Sequence, residues 1–177
     1  MKQSILIASL VLLVLVPGCG REDEYNEPEA FSFVVYPGAR YLGGLSDVTR
    51  QAHKIAKPNE EPPPVAIYET DASLEEVASF YAKSYGYGEV APDSTNNLSA
   101  AKPPAFYRTG DLATDAKQIA PMIPQLNLKT DITKATGAYR AADIEPRPNR
   151  PRVTVQRPYF DVTTSQVVDK TLILMAR

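Results

Sequence analysis

Val65-Ala66-Ile67-Tyr68-Glu69-Thr70 runs directly into Asp71-Ala72-Ser73-Leu74-Glu75-Glu76-Val77-Ala78-Ser79-Phe80-Tyr81-Ala82-Lys83-Ser84-Tyr85-Gly86. The first six residues are mostly β-branched, aromatic or small, as a half-buried pleated strand prefers. In the second stretch Ser73 and Glu76 have the spacing of a capping box, in which each satisfies a backbone N–H of the other. Leu74, Val77, Ala78, Tyr81 and Tyr85 then recur at three- and four-residue intervals, and Gly86 stops the pattern. A strand over Val65 to Thr70 and a helix over Ala72 to Tyr85 follow, with the apolar face of the helix laid on a sheet.

Working outward from this pair, the rest of the chain supplies the sheet. Thr171-Leu172-Ile173-Leu174-Met175 is apolar on both faces, which belongs in the middle of a covered sheet and locks the C-terminus into the core. Ala138 to Ile144 reads as a strand, and Arg152 to Arg157 alternates with Val153 and Val155 inward. Pro158 cannot donate to a ladder and must fall at an edge or bulge. Ala105 to Arg108 is a short strand. Asp111 opens a second helical segment through Leu112, Ala116, Ile119, Ile123 and Leu126, which Pro121 breaks or kinks near Ala120. Upstream, Phe31 to Tyr36 reads as a first strand ending at Pro37-Gly38, and Ser46 to Ile55 as a short helix capped by Ser46. The prolines around Pro58 and Pro62-Pro63-Pro64, the stretch Val90 to Pro104, and Pro146 to Pro151 are loops. The fold class is α+β: an antiparallel sheet of about four to six strands with one or two helices packed on one face.

Tyr36-Pro37-Gly38-Ala39, Thr70-Asp71 and Glu75 through Tyr81 give the chain a likeness to a known group. It resembles small α+β lipoproteins of bacteria that share the Tyr-Pro-Gly-Ala turn and the Glu-Glu-Val-x-x-Phe-Tyr helix. The resemblance implies a fold and carries no activity with it. The N-terminus points the same way. Lys2 precedes an aliphatic run from Ile5 to Val16, too short at about 1.5 Å per residue to span a bilayer core about 30 Å thick, and suited to a signal-peptide core. Val16-Pro17-Gly18-Cys19 resembles a lipobox, with Pro17 where Ala, Ser or Thr is usual. That resemblance implies cleavage between Gly18 and Cys19 and a lipid on Cys19, the only cysteine in the chain. With Gly20 rather than Asp after Cys19, it also implies the outer membrane, facing the periplasm. Residues 1–18 are then a signal peptide, 19–30 a lipidated cysteine with an acidic tether, and 31–177 a single domain.

The formal net charge of −2 argues against nucleic acid as a partner, since phosphate binding needs a basic face. His53 is the one histidine and reads as a surface helix residue. Without a second histidine or a free thiol, no metal site and no nucleophile–histidine pair is expected, and no cofactor is implied. Gly86-Tyr87-Gly88 lacks the third glycine and following helix of a phosphate loop. Glu60-Glu61 and Glu75-Glu76 are adjacent pairs, whereas hydrolytic carboxylates face each other across about 5–10 Å. The local basic cluster of Arg147, Arg150, Arg152 and Arg157, with Arg140, is the candidate anion-binding set.

These features favour a noncatalytic envelope lipoprotein that binds or scaffolds an envelope protein or cell-wall component. A small-molecule or lipid carrier, with a pocket between helix layer and sheet lined by Tyr81 and Tyr85, is the alternative. A hydrolase using carboxylates ranks third. Two or more acyl chains hold a protein stably at a membrane where one does not. Replacing Cys19 with Ser is therefore expected to accumulate unprocessed precursor and to remove the lipid label from a metabolically labelled protein. Normal processing of Cys19→Ser would instead mark an ordinary secretory signal.

Overall fold

The strand that reads as apolar on both faces is the third of six in the main sheet and is flanked on both sides. The computed structural model describes residues 35–93 and 103–177. In chain order the elements are β1 (Arg40–Tyr41), α1 (Gly43–Ala56), β2 (Val65–Thr70), α2 (Leu74–Ser84), β3 (Ala105–Asp111), α3 (Leu112–Ile119), β4 (Ala138–Ile144), β5 (Arg152–Arg157), β6 (Tyr159–Asp161), β7 (Gln166–Val168) and β8 (Thr171–Ala176). The sheet order is β1-β2-β8-β5-β4-β3, antiparallel throughout, and β6 pairs with β7 in a separate two-stranded ribbon. The signal peptide, Cys19, the tether and most of the expected strand over Phe31 to Tyr36 lie outside the described residues. Val35 and Tyr36 themselves are irregular.

The α+β class, the antiparallel sheet and its strand number are those expected. The helices, however, divide between the two faces. One face of β8 presents Ile173 and Met175, which pack with Val153, Val155 and Ile144 under Val77, Ala78 and Tyr81 of α2. The other face presents Leu172 and Leu174, covered by Leu45 and Val48 of α1 and by Leu112, Ala116 and Ile119 of α3. Neither set of β8 side chains tolerates water, so one helix packs on one face and two on the other.

Local rules account for α2 and α3. Ser73 Oγ accepts from Glu76 N while Glu76 Oε2 accepts from Ser73 N, completing the capping box. Asp111 caps α3 by accepting from Thr114 N at 2.9 Å. At Pro121 the helix gives way to a 3-10 turn over Ala120–Met122, because proline cannot donate to the preceding turn. The start of α1 obeys a nonlocal constraint. Ser46 does not cap it; the helix begins at Gly43, and Ser46 Oγ donates to Leu42 O and accepts from Ile67 N at 3.0 Å, stitching the helix to β2.

Two polar networks hold the α1/α3 side. Arg108 Nε donates to Asp143 Oδ2 at 2.7 Å and its Nη1 to Tyr139 Oη, which in turn donates to Asp115 Oδ2 at 2.6 Å. Thr154 Oγ1 donates to the second Asp143 oxygen. The Tyr139 ring lies so close over Gly110, its partner in register, that any side chain at that position would collide with it. The second network centres on Glu69, which is 5% exposed. It accepts from Tyr159 Oη at 2.7 Å and from Arg40, with Lys170 Nζ at 3.7 Å.

Burial alone would raise the Glu69 pKa. Hydrogen bonds from Tyr159 and Arg40, and the charges of Arg40 and Lys170, outweigh burial and hold the carboxyl below its ordinary value. A depressed folded pKa contributes stability that is fully present above the unfolded value and is lost as pH falls through the folded one. Glu69→Gln should cost about 2 kcal/mol at pH 7. The gap in urea midpoint between the two proteins should narrow below pH 4 and close further as acid is added; a gap unchanged by acid contradicts this role.

Candidate functional site

Along α1 Leu45, Val48 and Ala52 are buried against the sheet and Ile55 packs partly against the same core, whereas Ala56 in the last turn is exposed and lines an opening. The first turns fill the space above β2 and β8; the last turns leave it open. The result is a cleft of about 330 Å³ between the C-terminal half of α1 and the sheet. Its floor is set by strand register. Val65, Ala176 and Arg152 lie side by side across β2, β8 and β5 at one end of the sheet, and Leu174 stands beside Thr154 one step further in. Pro63 and Met122 close the ends, Met122 brought there by the 3-10 turn that Pro121 forces after α3.

The rim has one sign. Arg50, His53, Lys57 and Arg152 line the cleft, and among the described residues lining it none is acidic. Each cation has a carboxylate partner that does not line it: Arg50 pairs with Asp47, Lys57 with Glu60 at 2.7 Å, and Arg152 with Glu145 at 2.5 Å. Arg50 is also fixed to the sheet, its Nη1 donating to Val65 O at 3.1 Å. His53 differs from the others. Its side chain is 25% exposed, yet Nε2 is buried without a hydrogen-bond partner among the described residues; the nearest carboxylate oxygen, Glu60 Oε2, is 3.9 Å away. A buried polar atom without a partner costs about 1–3 kcal/mol.

Comparison with protein-family models, curated proteins and solved structures found no match for this chain. The site is therefore read from its own geometry.

The arginines proposed from sequence do not converge. Arg147 stacks over the Tyr87 ring at 4.4 Å and Arg150 over Tyr85 at 5.1 Å, on the α2 side of the sheet. Arg157 donates to Asp169 and to the carbonyls of Asp71 and Ala72, tying β5 to the start of α2. Arg140 pairs with Glu75 and lies over Tyr107. Of the candidate set only Arg152 reaches the cleft. Tyr81 and Tyr85 line no part of it. They are buried on the opposite face, where Tyr81 Oη accepts from Tyr36 N and Tyr85 Oη donates to Pro151 O. Desolvation pushes the Tyr85 pKa up to about 12, the mark of a packed hydroxyl.

Of the carboxylate pairs, Glu76 is held in the cap of α2, Glu75 by Arg140 and Glu60 by Lys57. Among the described residues no three His, Cys, Asp or Glu side chains are grouped to hold a metal ion. Sequence reasoning missed the cleft and placed His53 on the surface. The available signal was the small Ala52 on the face that begins with Leu45 and Val48.

If the unpartnered Nε2 of His53 is a real cost, an apolar residue of similar size should remove it. His53→Leu is expected to raise stability by about 1 kcal/mol, or roughly 2–4 °C in Tm by calorimetry, where most buried substitutions lower it. A fall in Tm contradicts the assignment.

Proposed function

We propose that the chain is a noncatalytic envelope lipoprotein whose domain binds a small, largely apolar molecule in the cleft between α1 and the sheet. The cleft carries the reading. Its volume falls at the lower end of the range of small-molecule sites, and an apolar floor with a few polar groups at the edge is their common composition. A scaffolding surface would need no such opening. The occupied carboxylates favour binding over hydrolysis. The pocket envisaged between α2 and the sheet is replaced by one on the opposite face, since α2 brings Val77, Ala78 and Tyr81 into a fully packed layer.

The lipid on Cys19, implied by the lipobox resemblance, would hold this domain at the periplasmic face of the outer membrane. The Glu-rich stretch that follows would be the tether in this reading. A binding domain held there meets molecules that leave or enter the bilayer.

A neutral naphthylamine dye that fluoresces in apolar surroundings tests the cleft. The purified protein should bind it at micromolar concentration. Ala56→Trp, which fills the gap from the helix side, should abolish the signal with Tm unchanged or raised. Equal fluorescence from Ala56→Trp, or none from the parent protein, removes the reading.

A further inference from the structure

We propose that the molecule bound in this cleft is a free single-chain carboxylate of medium length, with its chain over Val65, Leu174 and Ala52 and its carboxylate at the mouth beside His53 and Arg152. The inference rests on the cleft being the binding site.

Charge and position support it together. Arg152 and Val65 flank Ala176 in the terminal row of the sheet, and Arg50 is fixed to the Val65 carbonyl. Along α1 the basic Arg50, His53 and Lys57 alternate with Ala52 and Ala56, and Arg152 faces them from the sheet, so basic groups border a floor made apolar by Val65, Leu174 and Ala176. This is the polarity of an amphiphile with an anionic head. Asp47, Glu60 and Glu145 hold the cations from outside the cleft, which orders them without placing negative charge in it. Helix C-termini disfavour anions, and the basic residues in the last turns of α1 offset that field where the head would lie.

The unpartnered His53 Nε2 is the second observation. Among the described residues three cations on the rim each have a carboxylate partner, while the buried His53 Nε2 has no hydrogen-bond partner and its nearest carboxylate oxygen, on Glu60, is 3.9 Å away. A carboxylate at the mouth would accept from Arg152, whose planar guanidinium is suited to carboxylates, with the His53 imidazole beside it.

Volume sets the length. At about 30 Å³ for each small group, the share of a water molecule in the liquid, 330 Å³ admits roughly ten groups. A decanoate-sized molecule matches that volume, and the free acid and a membrane phospholipid are told apart by the vesicle competition below.

Titration calorimetry of the purified protein with the even-numbered alkanoates from six to fourteen carbons gives the test. Each added methylene should tighten binding roughly fourfold until the cleft is full, then add little. Decanol should bind at least tenfold more weakly than decanoate, and Arg152→Gln should lose about tenfold for decanoate with decanol unchanged. Equal affinity for acid and alcohol, or an unaltered Arg152→Gln, overturns the carboxylate while dye binding, and its loss in Ala56→Trp, keeps the cleft. Displacement of decanoate by phosphatidylglycerol vesicles overturns the free acid in favour of a membrane lipid. Absence of binding by dye, alcohol and acid alike overturns both the ligand and the cleft.

Discussion

A strand with no polar side must be covered on both faces, and that constraint organises this domain. Leu172, Ile173 and Met175 of β8 are fully buried, each worth about 1.5–3 kcal/mol relative to exposure. β8 is hydrogen-bonded to β2 on one side and β5 on the other, so the last residues of the chain complete the centre of the sheet. With β2 and β4, which also place side chains in both clusters, β8 forms the floor shared by α2 on one face and α1 with α3 on the other. The two clusters of core residues meet only through this sheet.

That much was legible from sequence because it is written in adjacent residues. The run from Thr171 to Met175 declares two apolar faces by itself, and the Ser73 to Glu76 box declares where α2 starts. Pro121 likewise announces the break after α3. What was not legible depends on residues far apart in the chain. Ser46 has the identity of a cap but serves as a hydrogen-bond acceptor for Ile67, twenty-one residues on, and the helix starts earlier to bring it there. Thr154 and Gln156 look like the wet side of an alternating strand, yet both are buried because α1 and α3 cover that face. Glu69 reads as an ordinary strand carboxylate, and its partner Tyr159 lies ninety residues away.

The site shows the same division more sharply. Five arginines close in sequence suggested one anion-binding surface, but they are divided among β4, the loop after it and the two faces of β5, and their side chains go to different places. Tyr87, Tyr85 and Tyr107 take three of them in cation–π contacts, Asp169 takes a fourth, and Arg152 alone turns toward the cleft. The cleft itself comes from atoms that are not there. Ala52 and Ala56 are good helix residues and reveal nothing alone; they leave a gap only because Val65, Leu174 and Arg152 lie opposite. Among the described residues, His53 Nε2 beside that gap is the one buried side-chain polar atom found without a hydrogen-bond partner.

A sheet packed on both faces thus carries one thin region in its helical cover, above Val65 and Leu174. Methyl and amide NMR spectra recorded during addition of decanoate test whether that region takes up a ligand. Shifts should concentrate on Ala52, Ala56, Val65, Met122, Leu174 and Ala176, with His53 the most affected ring. Shifts confined to the tyrosines and arginines of the α2 face, or spread evenly over the domain, would contradict it.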